Sequence, residues 1–215
     1  MSTLFKMIFN PRSPLAFLLA FIYAIIATIG LVDPYKDFPQ PDYPEGSINH
    51  HYSQRINGYE NWYGYSTIQG ILNMINAKDK EGIMSKFSEE TKDNNDDISR
   101  QIDIMFDYFD GEILDFENER VGYSGYNQEY GHYHNYEIST SADAKTEKYT
   151  YHIVISVVLI NDDENKVGIE SLTVVRTDVQ QYFLGIARIS GDDYDVPWHQ
   201  PGRAIKCVDY NGLIR

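Results

Sequence analysis

The hydrophobic period changes once along this chain, and the change limits the folds open to it. Before Gly111 the apolar residues recur at helical spacing. Ile68, Ile71, Leu72 and Ile75 fall at i, i+3, i+4 and i+7, one buried face of a helix that begins around Ser66. Lys78-Asp79-Lys80 interrupts the pattern, and Ile83 with Phe87 carry a shorter helix. A cluster of Asn and Asp at 93–97 offers N-caps for a third. There Ile98, Ile102, Met105, Phe106 and Phe109 repeat the spacing, and Gly111 is placed to end it. From Glu112 the period is two. Strands are expected over 113–117, 132–140, 147–161, 167–177 and 181–189, with the loop 162–166 (DDENK) closing a hairpin. On the long third strand Tyr149, Tyr151, Ile153, Ile155, Val157 and Leu159 share one face. Val154, Val158 and Ile160 make the other face partly apolar, which predicts cover on both sides of its centre. Helices followed by strands specify an α+β fold, with three helices packed on one face of an antiparallel sheet of four to five strands.

Ahead of this domain stands a segment of different chemistry. After a basic leader (1–12, with Lys6 and Arg12), residues 15–32 carry no charge, and their only polar side chains are Tyr23 and Thr28. As a helix, eighteen such residues span roughly 27 Å, close to the thickness of a bilayer's hydrocarbon core. A cleaved signal peptide is the alternative, but it wants small residues at −3 and −1 of the cut. Ala24 and Ala27 are wrongly spaced for that, and Thr28 with Gly30 match it weakly. Residues 13–32 are therefore expected to be a transmembrane signal anchor. The leader is basic and the segment after the span is net acidic, so the body is expected outside the cytoplasm of a single-pass membrane protein. Pro34, Pro39, Pro41 and Pro44 mark 33–64 as an extended tether to a domain over 65–202, with 203–215 left as a tail.

Charge excludes some partners. Residues 33–215 hold 16 basic and 32 acidic side chains, a net −16, which repels nucleic-acid phosphates and anionic headgroups. The one cysteine, Cys207, can form neither an internal disulfide nor a cysteine-based zinc site by itself, and is expected to be a small, half-buried apolar residue. No cofactor is expected.

INAKDKEGIMSKFSEET (75–91), DDISRQIDIMFDYFDGEILDF (96–116) and VPWHQPG (196–202) carry a resemblance. The chain resembles a family of uncharacterised Gram-positive bacterial proteins, mostly secreted lipoproteins bearing a domain of unknown function. The likeness covers about 65–202. It implies a fold similar to the nuclear-transport-factor-2-like or cystatin-like cones, in which three helices cross a curved sheet around a pocket. It implies no catalytic residues. The chain departs from that family in lacking a cysteine for lipid attachment after the apolar run, where the membrane helix takes over the anchoring.

Several residues are candidates for a site. His132 and His134 share a face of one strand and are weak candidates for metal, since a closed site needs a third or fourth ligand. A solvated, tyrosine-rich strand face accounts for them better. Asp103, Asp107 and Asp110 form an acidic stripe on the third helix, again read as a solvated face. An enzyme of the isomerase or hydrolase kind would place an acid–base group in the cone, and His152, Asp115 and Glu170 lie on strands that could supply it. Tyr133, Tyr136, Tyr149 and Tyr151 are the binding candidates, because tyrosine pairs a broad apolar face with a polar tip. The expected function is thus binding of a small molecule, glycan or protein by a membrane-tethered domain; the small-molecule enzyme is the alternative, and a structural accessory to an envelope complex a third.

Overall fold

The computed structural model describes residues 21–22, 38–43, 46, 48, 58–129, 132–180, 204–209 and 212–213. The chain divides into two compact units, Met1–Phe38 and Pro39–Arg215. The expected anchor at 13–32 lies outside the described residues except at Phe21 and Ile22, as do the strand expected over 181–189 and the motif at 196–202. Among the described residues no helix is long and apolar enough to cross a membrane.

The second unit is an α+β domain. Helix α1, Tyr59–Asn76, buries Ile68, Ile71, Leu72 and Ile75, the face its spacing predicted. It begins seven residues before Ser66, so the end of the expected tether is helical. Gly58, at φ +82°, turns the chain into it. The added turns are rich in aromatic and polar residues and carry no clear apolar period, yet Tyr59, Gly64 and Tyr65 are buried. At Gly64 the helix backbone lies directly on the sheet: a Cβ there would come 2.5 Å from Val121 Cγ2 and 3.0 Å from Thr140 Oγ1. Helix α2, Lys80–Lys86, is capped by Asp79, whose carboxylate accepts from the Gly82 N–H at 2.8 Å. A fourth helix was not expected. Helix α3, Glu89–Asp93, has five residues, buries none of them and is held by its Ser88 cap, so it leaves no hydrophobic period to detect. Helix α4, Ile98–Tyr108, buries Ile98, Gln101, Ile102, Met105 and Phe106. Gly111, at φ +92°, turns the chain toward the sheet.

The sheet has six strands in sequence order: β1 (Asp115–Glu129), β2 (His132–Lys145), β3 (Thr150–Asn161), β4 (Gly168–Arg176), β5 (Ile205–Asp209) and β6 (Gly212–Leu213). Two expectations need correction. The sheet exceeds four to five strands, because within the expected C-terminal tail the short alternation Ile205-Lys206-Cys207-Val208 forms β5. Nor is it wholly antiparallel, since β5 runs parallel to β4, pairing Leu172 with Ile205 and Val175 with Val208. The other pairings are antiparallel. The 162–166 loop closes the β3–β4 hairpin around a 3-10 turn, Glu164–Lys166.

One face of the sheet meets the helices. It carries Ile138, Ala142 and Ala144 of β2, Tyr151, Ile153 and Ile155 of β3, Leu172 and Val174 of β4, and Ile205 and Cys207 of β5, all buried. Each large side chain there contributes roughly 1.5–3 kcal/mol by leaving water. On the other face Val175, Val179 and Val208 form a small buried cluster and Val154 is half-buried, whereas a bulge near the end of β3 sets Ile160 opposite Tyr136, on the helix side.

The proline-rich segment is strapped to α1. Tyr59 donates to the Pro39 carbonyl at 2.7 Å, and the ring of Tyr43 fills the space a side chain at residue 70 would need, which is why glycine stands there. Asn73 reads the backbone of Ile48 on both sides. Its Oδ1 accepts from the Ile48 N–H at 2.9 Å, and its Nδ2 donates to the Ile48 carbonyl at 3.1 Å.

Candidate functional site

Where this strap passes the end of the sheet, a pocket of about 170 Å³ opens. The strap supplies Gln40, Asp42 and Tyr43; α1 supplies Tyr63; the end of α2 supplies Ser85, Lys86 and Phe87; and the β3–β4 hairpin supplies Val157, Val167, Gly168 and Ile169. Four links hold the walls together. Phe87 bridges to Ile169, and the Ser88 N–H donates to the Ile169 carbonyl at 3.1 Å. Gly168, at φ +131°, leaves no room for a side chain against the backbone of Lys86–Ser88. Lys86 Nζ donates to the Asp42 carbonyl, stands 3.6 Å from the Asp42 carboxylate and lies 5.1 Å from the centre of the Tyr43 ring.

The electrostatics are simple. Among the described lining residues there is one cation, Lys86, and one carboxylate, Asp42, whose side chain is fully exposed. Burial first, and the Tyr63 phenol second, push Tyr43 well above the usual phenol range, against a hydrogen bond with Thr67. Burial, followed by Asp42, pushes Tyr63 up to about 12. Both phenols are therefore neutral at physiological pH and keep their O–H groups. Phe87, Val157 and Ile169 are buried and make an apolar wall.

None of the residues singled out from the sequence as catalytic lines this pocket. His152 sits on β3 opposite Asp143 of β2, and its Nδ1 lies 2.8 Å from the Asp143 carboxylate. Asp115 opens β1, where its exposed carboxylate accepts from the next N–H, of Phe116, at 2.8 Å. Glu170 is exposed on β4. Partial burial, then Glu137 and Glu90, raise its pKa, with Lys166 opposing. His134 contacts Asp162 at 2.7 Å; of His132, only the backbone pairing with Glu129 is described. Among the described residues no three His, Cys, Asp or Glu are disposed to hold a metal. The acidic stripe is partly neutralised from neighbouring elements, Asp103 by Lys80 at 2.6 Å and Asp110 by Lys148 at 2.8 Å. Cys207 is buried on β5.

The four tyrosine candidates fall in two places. Tyr136 is buried at one end of β2; its hydroxyl bonds Glu60 at 2.6 Å and its ring meets Tyr133 edge-on at 5.2 Å. Tyr151, at the start of β3, packs with Tyr108 and Phe109, and Tyr149 just before the strand meets the Tyr151 ring and lies under the Arg176 guanidinium. The pocket tyrosines, Tyr43 and Tyr63, were missed. Neither has a local signal, because one sits among prolines and the other in an irregular aromatic run. Only the docking of strap on helix brings them together.

A family model described as a domain of unknown function (DUF5104) matches residues 70–178. The chain belongs to this family. No curated protein matches it. The matched stretch runs from within α1 to just past β4, so it holds the α2 and hairpin walls of the pocket. The strap, Tyr63 and β5 lie outside it.

Proposed function

We propose that this DUF5104 protein is a membrane-held binding module whose domain stands outside the cytoplasm and takes a small ligand in the pocket beside the strap. One observation carries the reading. Among the described residues the pocket wall joins the buried apolar side chains of Phe87, Val157 and Ile169 to one cation, Lys86, and its one carboxylate, Asp42, faces solvent. This mix of apolar surface and a few convergent polar groups is the usual composition of a ligand site. At about 170 Å³ it suits an occupant smaller than those of drug-sized pockets, which start around 300 Å³. The layering of α1 and α4 on one sheet face supports a cone of the nuclear-transport-factor-2-like kind. The uncharged run at 15–32, between a basic leader and an acidic body, supports the anchor and its orientation.

Gentle isolation of the full-length chain from membranes, followed by native mass spectrometry, tests the reading. A small organic molecule held one to one is the expected result. A stoichiometric metal ion in its place would overturn it. Protease added to intact cells should remove the acidic body, and its survival would contradict the orientation.

A further inference from the structure

We propose that the pocket accepts a small monocarboxylate, its head against the Lys86 ammonium and its short apolar body against Phe87, Val157 and Ile169. The inference rests on the pocket being a binding site and adds the chemistry of the occupant. It starts from how poorly Lys86 is neutralised. Its side chain is only 22% exposed, yet among the described residues its one charged partner is a carboxylate that is wholly in water and 3.6 Å away. Such a pair contributes little. The remaining partners are a carbonyl and a ring face, which orient the ammonium without cancelling its charge. A ligand carboxylate inside the wall would meet that charge where water is scarcer and the attraction stronger.

The neighbouring groups agree with an acid head. Tyr63 remains protonated through the physiological range and can help an anion only as a donor. Past the head the wall is apolar, and Val167, 39% exposed at the mouth, continues it toward solvent. The volume limits the body to a short chain or one small ring. The −16 body opposes any anion at a distance, but at physiological salt that field is screened within about 8 Å. Selection therefore falls to the contact at Lys86.

Hexanoate, its neutral isostere hexanamide and the chain-less acetate separate head from body. Calorimetry on the full-length chain in detergent gives the affinities, and the methyl resonances of Val157, Val167 and Ile169 report the place of binding. Hexanoate should bind roughly tenfold more tightly than hexanamide, and acetate more weakly than hexanoate. Lys86→Met, which keeps the apolar stem, should erase the ratio, weakening hexanoate roughly tenfold more than hexanamide. Asp42→Asn, a change on a fully exposed side chain, should strengthen hexanoate binding by removing the competing carboxylate. Hexanamide binding as tightly as hexanoate, or a ratio that survives Lys86→Met, would overturn the acid head and leave the binding site standing. Methyl shifts from none of the three would overturn both.

Discussion

Two groups of tyrosines sit in this domain and are used in opposite ways. Around the start of β3, Tyr151 is completely buried, with the rings of Phe109 at 4.6 Å and Tyr108 at 5.6 Å. The hydroxyls there close on backbone: Tyr108 donates to the Val208 carbonyl and accepts from the Arg176 N–H, and Tyr151 accepts from the Asp110 N–H at 2.9 Å. These rings tie α4 to β3, β4 and β5. Beside the strap, Tyr43 and Tyr63 are only half-buried and border a cavity. One cluster is cement and the other is lining. Burial raises the phenol pKa in both, so a perturbed tyrosine alone does not mark a site; the space next to it does.

Truncation breaks or sharpens this contrast most strongly. Tyr151→Ala removes a fully packed ring and leaves the Asp110 N–H without its acceptor, which should cost about 3–5 kcal/mol. Tyr63→Ala empties a wall that already faces open space and should cost roughly 1–2 kcal/mol. Urea titration of both variants compares them directly, and equal losses would abolish the distinction.

The next effect isolates the strap. Asn73→Ala leaves the buried Ile48 N–H without the side-chain acceptor that held it, at about 1–3 kcal/mol. Protease should then cut within 38–48 faster than in the parent protein. Hydrogen exchange around Tyr108 should be unchanged, because that cluster has no part in the strap. If exchange there quickens equally, the two regions are one cooperative unit.

How much of this was legible beforehand follows from the range of the interactions. The buried faces of α1, α4 and β3 were readable because a local period records them, as at Ile68, Ile71 and Leu72 or Tyr151, Ile153 and Ile155. The hairpin at 162–166 was readable from its run of turn formers. Where the period was short or absent, expectation failed. Five residues of α3 and five of β5 are too few to show one, and α1's first turns bury aromatics and a glycine in place of aliphatics. The pocket had no local signature at all. It depends on Tyr43 meeting Gly70, Asn73 meeting Ile48 and Phe87 meeting Ile169, contacts 25 or more residues apart in sequence that no spacing rule reports. A regular histidine pair drew attention to the β1–β2 end instead.

A smaller effect probes the close approach of α1 to the sheet. The Thr140 hydroxyl is buried beneath Gly64 and has no hydrogen-bond partner among the described residues. Thr140→Val keeps the shape and removes the orphaned group, so it should stabilise the domain by about 1 kcal/mol. A lower melting temperature would mean that the hydroxyl has a partner in solution.

The smallest effect near neutral pH becomes visible only in alkali. Tyr63 titrates near pH 10 in the unfolded chain and is pushed up to about 12 in the folded one. Between those values the unfolded state has released a proton that the folded state still holds, so stability falls as pH rises. Below pH 10 both states keep the proton and the contribution is constant. Tyr63→Phe should therefore change stability little at pH 7 and reduce the slope of the decline between about pH 10 and pH 12. The decline will not vanish, because burial also raises Tyr43, Tyr59 and Tyr108, each of which keeps its proton further into alkali than it would when unfolded. Tyr108→Phe gives the comparison its last edge. It loses a hydroxyl wedged between Val208 and Arg176, so it should weaken the fold already at neutral pH, whereas Tyr63→Phe should not. Chemical denaturation of both variants at pH 7 and pH 11 reads the two clusters separately, and a Tyr63→Phe protein weakened equally at both pH values would mean that its hydroxyl is cement as well.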